Sequence, residues 1–94
     1  MPYIEPKARK KLDKPVNRII EQLDSVGELN YVVTRLCMGW VLRKGLCYGN
    51  LNHVWGVLGL VKQEIWNRVG FAYERRKRLT NGDVAEFEAA VNLL

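Results

Sequence analysis

Tyr73-Glu74-Arg75-Arg76-Lys77-Arg78 places four consecutive cations close behind an aromatic residue, and Arg68 stands a little over a turn earlier. Arginine's planar fork can grip two phosphate oxygens at once, and an aromatic ring beside it can stack on a nucleobase for about 1–3 kcal/mol. Tyr31 and Arg35 repeat the pairing at a spacing of four, which puts both on one side of a helix. Tyr31, Arg35, Arg68, Tyr73, Arg75 and Arg76 are therefore the candidate ligand-binding residues, with arginines for phosphates and tyrosines for a base or sugar. The same basic run also suits a solvated helix end, where cations oppose the negative end of the helix dipole.

Other reactive side chains are sparse. His53 is the only histidine, and Cys37 and Cys47 are ten positions apart, so the chain has no metal-ligand spacing and calls for no metal or cofactor. His53 has no matched nucleophile or evident carboxylate partner, and reads as a capping or interface residue. Glu64 and Arg68 have the spacing of a helix-surface ion pair. Pro2 invites comparison with tautomerases that use an N-terminal proline as a base. Those enzymes build the site at the start of a β-strand, whereas basic, helix-forming sequence follows here. No GxxxxGK[ST] loop and no Ser/His/Asp arrangement is present, and the chain is read as a non-enzyme.

The 94 residues carry 15 Lys and Arg against 10 Asp and Glu, a formal charge of +5 that favours anionic partners. The excess is local: residues 1–14 carry +3 and residues 62–80 carry +4, while residues 81–94 carry −3. A basic N-terminal arm (residues 1–12) and the end of a long helix hold most of it. The opening Met-Pro-Tyr-Ile-Glu does not read as a signal peptide, and no apolar run is long enough to cross a bilayer. Two unpaired cysteines fit a reducing compartment, so a cytoplasmic location is expected, with no membrane partner.

Helices must position these groups, because apolar residues recur at three and four and no strand alternation competes. Pro15 breaks the first segment, so the main first helix is expected from about Asp13, with Val16, Ile19, Ile20, Leu23 and Val26 on one side and a stop at Gly27. A second helix from about Glu28 to Lys44 puts Leu29, Val32, Val33, Leu36, Cys37 and Trp40 on one stripe and Tyr31, Met38 and Leu42 opposite. Asn50 caps a long third helix to Arg78, with Leu51, Val54, Trp55, Leu58, Val61, Ile65, Val69 and Ala72 on its main stripe. Val57, Leu60 and Phe71 lie on its reverse. Gly56 and Gly59 permit close helix approach, and Gly70 favours a bend. A short C-terminal helix follows Asp83, within residues 85–94. Trp40, Trp55 and Trp66 lie in or beside the stripes and read as packing residues.

One all-α domain, residues 1–94, with three or four helices is the resulting expectation. A third helix of about 28 residues spans about 42 Å, whereas a compact domain of this length is about 32 Å across. Together with the two-sided apolar helices, that length points to a homo-oligomer.

Met1-Pro2-Tyr3-Ile4, Gly27-Glu28-Leu29-Asn30-Tyr31 with Thr34-Arg35-Leu36, and Tyr73-Glu74 with Asn81-Gly82-Asp83-Val84 carry a resemblance. On these motifs the chain resembles a family of small uncharacterised helical proteins found in archaea, bacteria and phages, through about Val84. The resemblance implies a compact helical protein and supplies no catalytic residue. Its phage setting suggests, by analogy of size and context, small oligomeric proteins that sequester host nucleotide signals. The leading expectation is thus a non-enzymatic homo-oligomer that binds an anionic phosphorylated small molecule such as a nucleotide signal, in the host cytoplasm if phage-encoded. Its rivals are a nucleic-acid-binding protein, using the N-terminal arm and Arg75–Arg78, and an inhibitor or adaptor that docks on a host protein through the second apolar faces.

Overall fold

Pro6 has no amide hydrogen to leave unpaired and its fixed φ suits a first helical position, so α1 (Pro6–Ile20) starts there. The computed structural model describes residues 2–94. Contrary to the break expected at Pro15, α1 runs through it. The hydrogen bond that Pro15 cannot donate would have gone to Lys11, an exposed residue whose carbonyl water can serve, so the helix continues. α1 ends at Ile20 rather than near Val26. Its end tightens through Gln22 N–H to Ile19 O (2.9 Å) and Leu23 N–H to Ile20 O (3.2 Å).

The next helix, α2 (Val26–Lys44), starts ahead of Gly27 because Ser25 and Glu28 form a capping box. The Glu28 N–H donates to Ser25 Oγ (3.0 Å), and Glu28 Oε1 accepts from the N–H groups of Ser25 (2.8 Å) and Asp24 (2.9 Å). These bonds, the Ser25 amide first, hold the Glu28 carboxyl below its ordinary range. With its folded pKa depressed, the box is complete above the ordinary glutamate value of about 4.3 and is lost as pH falls through the lower folded value. Ser25→Ala is expected to cost about 1 kcal/mol at neutral pH. Glu28→Gln, which keeps an acceptor without the titration, should remove the acid-side loss of α2 helicity followed by circular dichroism.

α2 closes at Gly45, whose φ of +119° belongs to a region open to glycine. Asn50 Nδ2 donates to Gly45 O (2.8 Å) and the Asn50 N–H to Cys47 Sγ (3.4 Å), so the turn is tied from within. α3 (Tyr48–Ile65) thus begins two residues before Asn50, which sits inside its first turn and reaches back to the turn instead of preceding the helix. A π turn (Trp66–Gly70) and α4 (Phe71–Asn81) follow without interruption, giving a helical run of 34 residues. Where a bend was expected at Gly70, the helix carries a wide turn over Trp66–Gly70, in which the Phe71 N–H donates to Trp66 O. Gly82, at φ +88°, ends α4, and α5 (Ala85–Asn92) follows. Among the described residues there is no strand, so the all-helical expectation holds.

The chain divides into two compact units, Met1–Leu60 and Val61–Leu94. Among the described residues Val41 alone is fully buried. Trp55 is 78% exposed, so its apolar ring has no adequate cover within the chain. Gly56 and Gly59 likewise have open space where a Cβ would stand, so the close approach they permit is not made within one copy.

Candidate functional site: a basic cleft and an apolar groove

In the second unit, Phe71, Glu74, Arg75 and Arg78 follow the spacing of one helix face and line a cleft of about 510 Å³. The turn at Gly82 brings α5 to its other side, where Phe87 and Val84 contribute apolar surface. Asp83 Oδ1 accepts from the Val84 N–H (2.8 Å), which fixes the entry to α5. Arg75 and Arg78 set two positive charges against Glu74 and Asp83, and Lys77 lines the edge of the cleft while its Nζ lies over the Tyr73 ring. The cleft therefore couples two phenyl rings to a cationic rim, a combination suited to a ligand with a flat apolar part and a negative one.

The six residues expected to bind a ligand do not share one site. Arg75 alone of them lines this cleft. Tyr73 and Arg76 fall on the opposite side of α4, since at 100° per residue they lie more than a quarter turn from the Phe71–Arg75–Arg78 face. Lys77 Nζ lies 5.6 Å from the Tyr73 ring centroid, so that ring is already engaged by a cation. Arg68 belongs to the π turn. Tyr31 and Arg35 lie in the first unit, where Arg35 Cζ stands 6.0 Å from the Tyr31 ring centroid and places a guanidinium over the stacking face. Tyr31 also edges a shallow depression with Glu28, whose carboxylate makes it a poor seat for phosphate. Lys77, Arg78, Phe71 and Phe87 are the cleft residues that the sequence reading missed. The i, i+3, i+4, i+7 spacing from Phe71 to Arg78 was the signal that would have found two of them, Phe71 and Arg78.

The first unit carries a larger groove of about 700 Å³ between α2 and α3. Leu36, Cys37 and Trp40 face it from α2, and His53, Val54 and Val57 from α3, with Lys44 and Asn50 at its polar end. Trp40 and His53 meet edge to face, with ring centroids 6.4 Å apart and planes at 89°. His53 is thus a groove-wall residue. Among the described residues no group of three or more His, Cys, Asp or Glu is placed to hold a metal ion, and no helix is long and apolar enough to cross a membrane.

These features define a small all-helical protein with a basic cleft and an apolar groove on separate units. The chain belongs to the family described as Domain of unknown function (DUF6899), which matches residues 1–84. That match stops just before α5, so Phe87 and the acidic end of the chain lie outside the shared domain. No curated protein and no solved structure matches the chain.

Proposed function

We propose that this chain is a non-catalytic, homo-oligomeric binding protein that takes an anionic, phosphorylated small molecule in the cleft between α4 and α5. The observation that carries this reading is the convergence of Arg75 and Arg78 on a cleft walled by Phe71 and Phe87. Phosphate oxygens would pair with the guanidinium forks, and a planar base would lie against the rings. Glu74 and Asp83 restrict the charge the cleft can accept and leave acceptors for the donor edge of a base or sugar. A nucleotide signal presents all three features, and holding it without turnover would sequester it, as small phage proteins that blunt host signalling do.

Calorimetry against inorganic phosphate, nucleoside monophosphates and triphosphates, and cyclic dinucleotides tests the proposal. A charge-assisted contact contributes about 1.5–3 kcal/mol, so Arg75→Glu and Arg78→Glu should each weaken binding at least about tenfold. Arg76→Glu, on the other side of α4, should leave affinity within about threefold, apart from the general loss of positive charge. Heat absent across the whole panel at high protein concentration would defeat the reading. Oligonucleotide binding that falls steeply with salt would move the function to a phosphate backbone instead.

A further inference from the structure

We infer that the α2–α3 groove is the seat of a second copy of this chain, whose exposed Leu51, Trp55 and Leu58 enter it. The inference takes up the homo-oligomeric part of the proposed function and does not depend on the ligand.

The argument begins with area. The chain presents 8955 Å² of accessible surface, whereas a folded chain of 10.9 kDa ordinarily presents about 5,600 Å². The excess is about 3,400 Å² per copy. Obligate homodimers cover about 2,000–5,000 Å² summed over both partners, and the excess summed over two copies is about 6,800 Å², so it leaves room for a permanent self-contact and far exceeds what a transient one covers. A helical hairpin with Val41 as its one buried residue cannot offset the conformational entropy of ordering its backbone, which makes folding and association one process.

The surfaces also fit each other. The groove is open, apolar along Leu36, Trp40, Val54 and Val57, and polar toward Lys44 and Asn50. About a third of a turn around α3 from the groove-facing side, Leu51, Trp55 and Leu58 form a second apolar stripe at i, i+4, i+7. Trp55 is the most exposed of the three tryptophans and supplies the large, rigid anchor that interface centres favour. Because groove and stripe lie on the same helix pair, two copies related by a two-fold axis can each give a stripe and receive one. No other partner is needed to satisfy both surfaces.

Light scattering on a sizing column and chemical unfolding of the full chain test this together. The expected mass is at least twice 10.9 kDa, and the wild-type unfolding midpoint should fall with every tenfold dilution. Trp55→Glu and Val57→Glu, one on the stripe and one in the groove, should each lower the mass to that of a single copy, whereas Trp55→Phe should keep the assembly. Because the Glu variants can lose helicity along with mass, the dilution series on the unaltered chain stands as the independent measurement. A stable single copy whose midpoint ignores dilution would overturn the inference and open the groove to a different partner. An oligomer that keeps its mass in both Glu variants would overturn the placement. Arg75→Glu should retain the assembled mass, which separates this outcome from failure of the anion reading.

Discussion

Val41→Asp is expected to abolish the cooperative fold of the first unit at neutral pH. Val41 is fully buried on α2, one turn before Gly45, whose N–H donates to Val41 O (2.8 Å). An ionised carboxylate there is cut off from water, and Lys44, at the polar end of the neighbouring groove, is exposed and stays in solvent; burying such a charge costs several kcal/mol even after relaxation. That is comparable to the whole stability of a domain this small. The buried acid would have a raised pKa in the folded state, so the penalty grows as pH rises above the unfolded value of about 3.9 and is absent below it. Partial recovery of helicity below about pH 4, measured against the wild type to remove the Glu28 effect, is the signature. Val41→Asn should show no such recovery. Val41→Ala should lose about 2–3 kcal/mol, the transfer energy of two carbons plus a small cavity. Retention of the wild-type unfolding midpoint by Val41→Asp would mean that position 41 is not shielded from water.

Gly70→Ala should destabilise the second unit even though alanine is the better helix former by about 1 kcal/mol. A Cβ at Gly70 would overlap Trp66 Cδ2 and Cε3 and come within 3.0 Å of Cε2. Those are atoms at the fused edge of a rigid ring rather than the end of a flexible chain, so the indole must swing away. Moving it would break its edge-to-face contact with Phe71, now at 6.2 Å between centroids and 75° between planes. Overpacking of this kind costs about 1–3 kcal/mol and outweighs the gain in propensity. Because Phe71 lines the basic cleft, anion affinity should fall with stability. The double variant Trp66→Ala with Gly70→Ala separates steric overlap from backbone preference: with the ring gone, alanine at position 70 should be stabilising. A Gly70→Ala chain more stable than wild type, with Trp66 intact, would show that the ring relocates freely and that the π turn does not need glycine.

The two substitutions probe positions that differ in how visible they are in the sequence. Gly70 stands out as a glycine inside a helical stripe, and the structure places the irregularity there. What the pattern does not convey is that the indole of Trp66 occupies the missing side chain's space, since that depends on a rotamer and on a wider turn. Val41 lies just beyond the stripe that ends at Trp40, so the periodicity of α2 does not mark it as the buried position. Pro15 misleads for the opposite reason. Part of proline's cost in a helix is the carbonyl left unpaired, and at the exposed Lys11 water can pair it. Ser25-Val26-Gly27-Glu28 is a start signal that was legible all along, although Gly27 competes with it as an apparent stop.

The ligand-binding residues divide along the same line. Composition and order determined an all-helical chain, a long helical run through Asn50–Arg78, a basic end to it, and apolar residues on two sides of α2 and α3. Those are local properties, fixed by the 100° step of a helix and by charge. Tertiary structure decided which cations converge, because the face of α4 that meets α5 is chosen by the Gly82 turn and carries Arg75 and Arg78, not Tyr73 or Arg76. It also decided that the second apolar faces stay uncovered within one copy. Periodicity tells which residues share a side of a helix, but which side is shielded from water depends on the path of the chain between helices and on the surfaces that path leaves open.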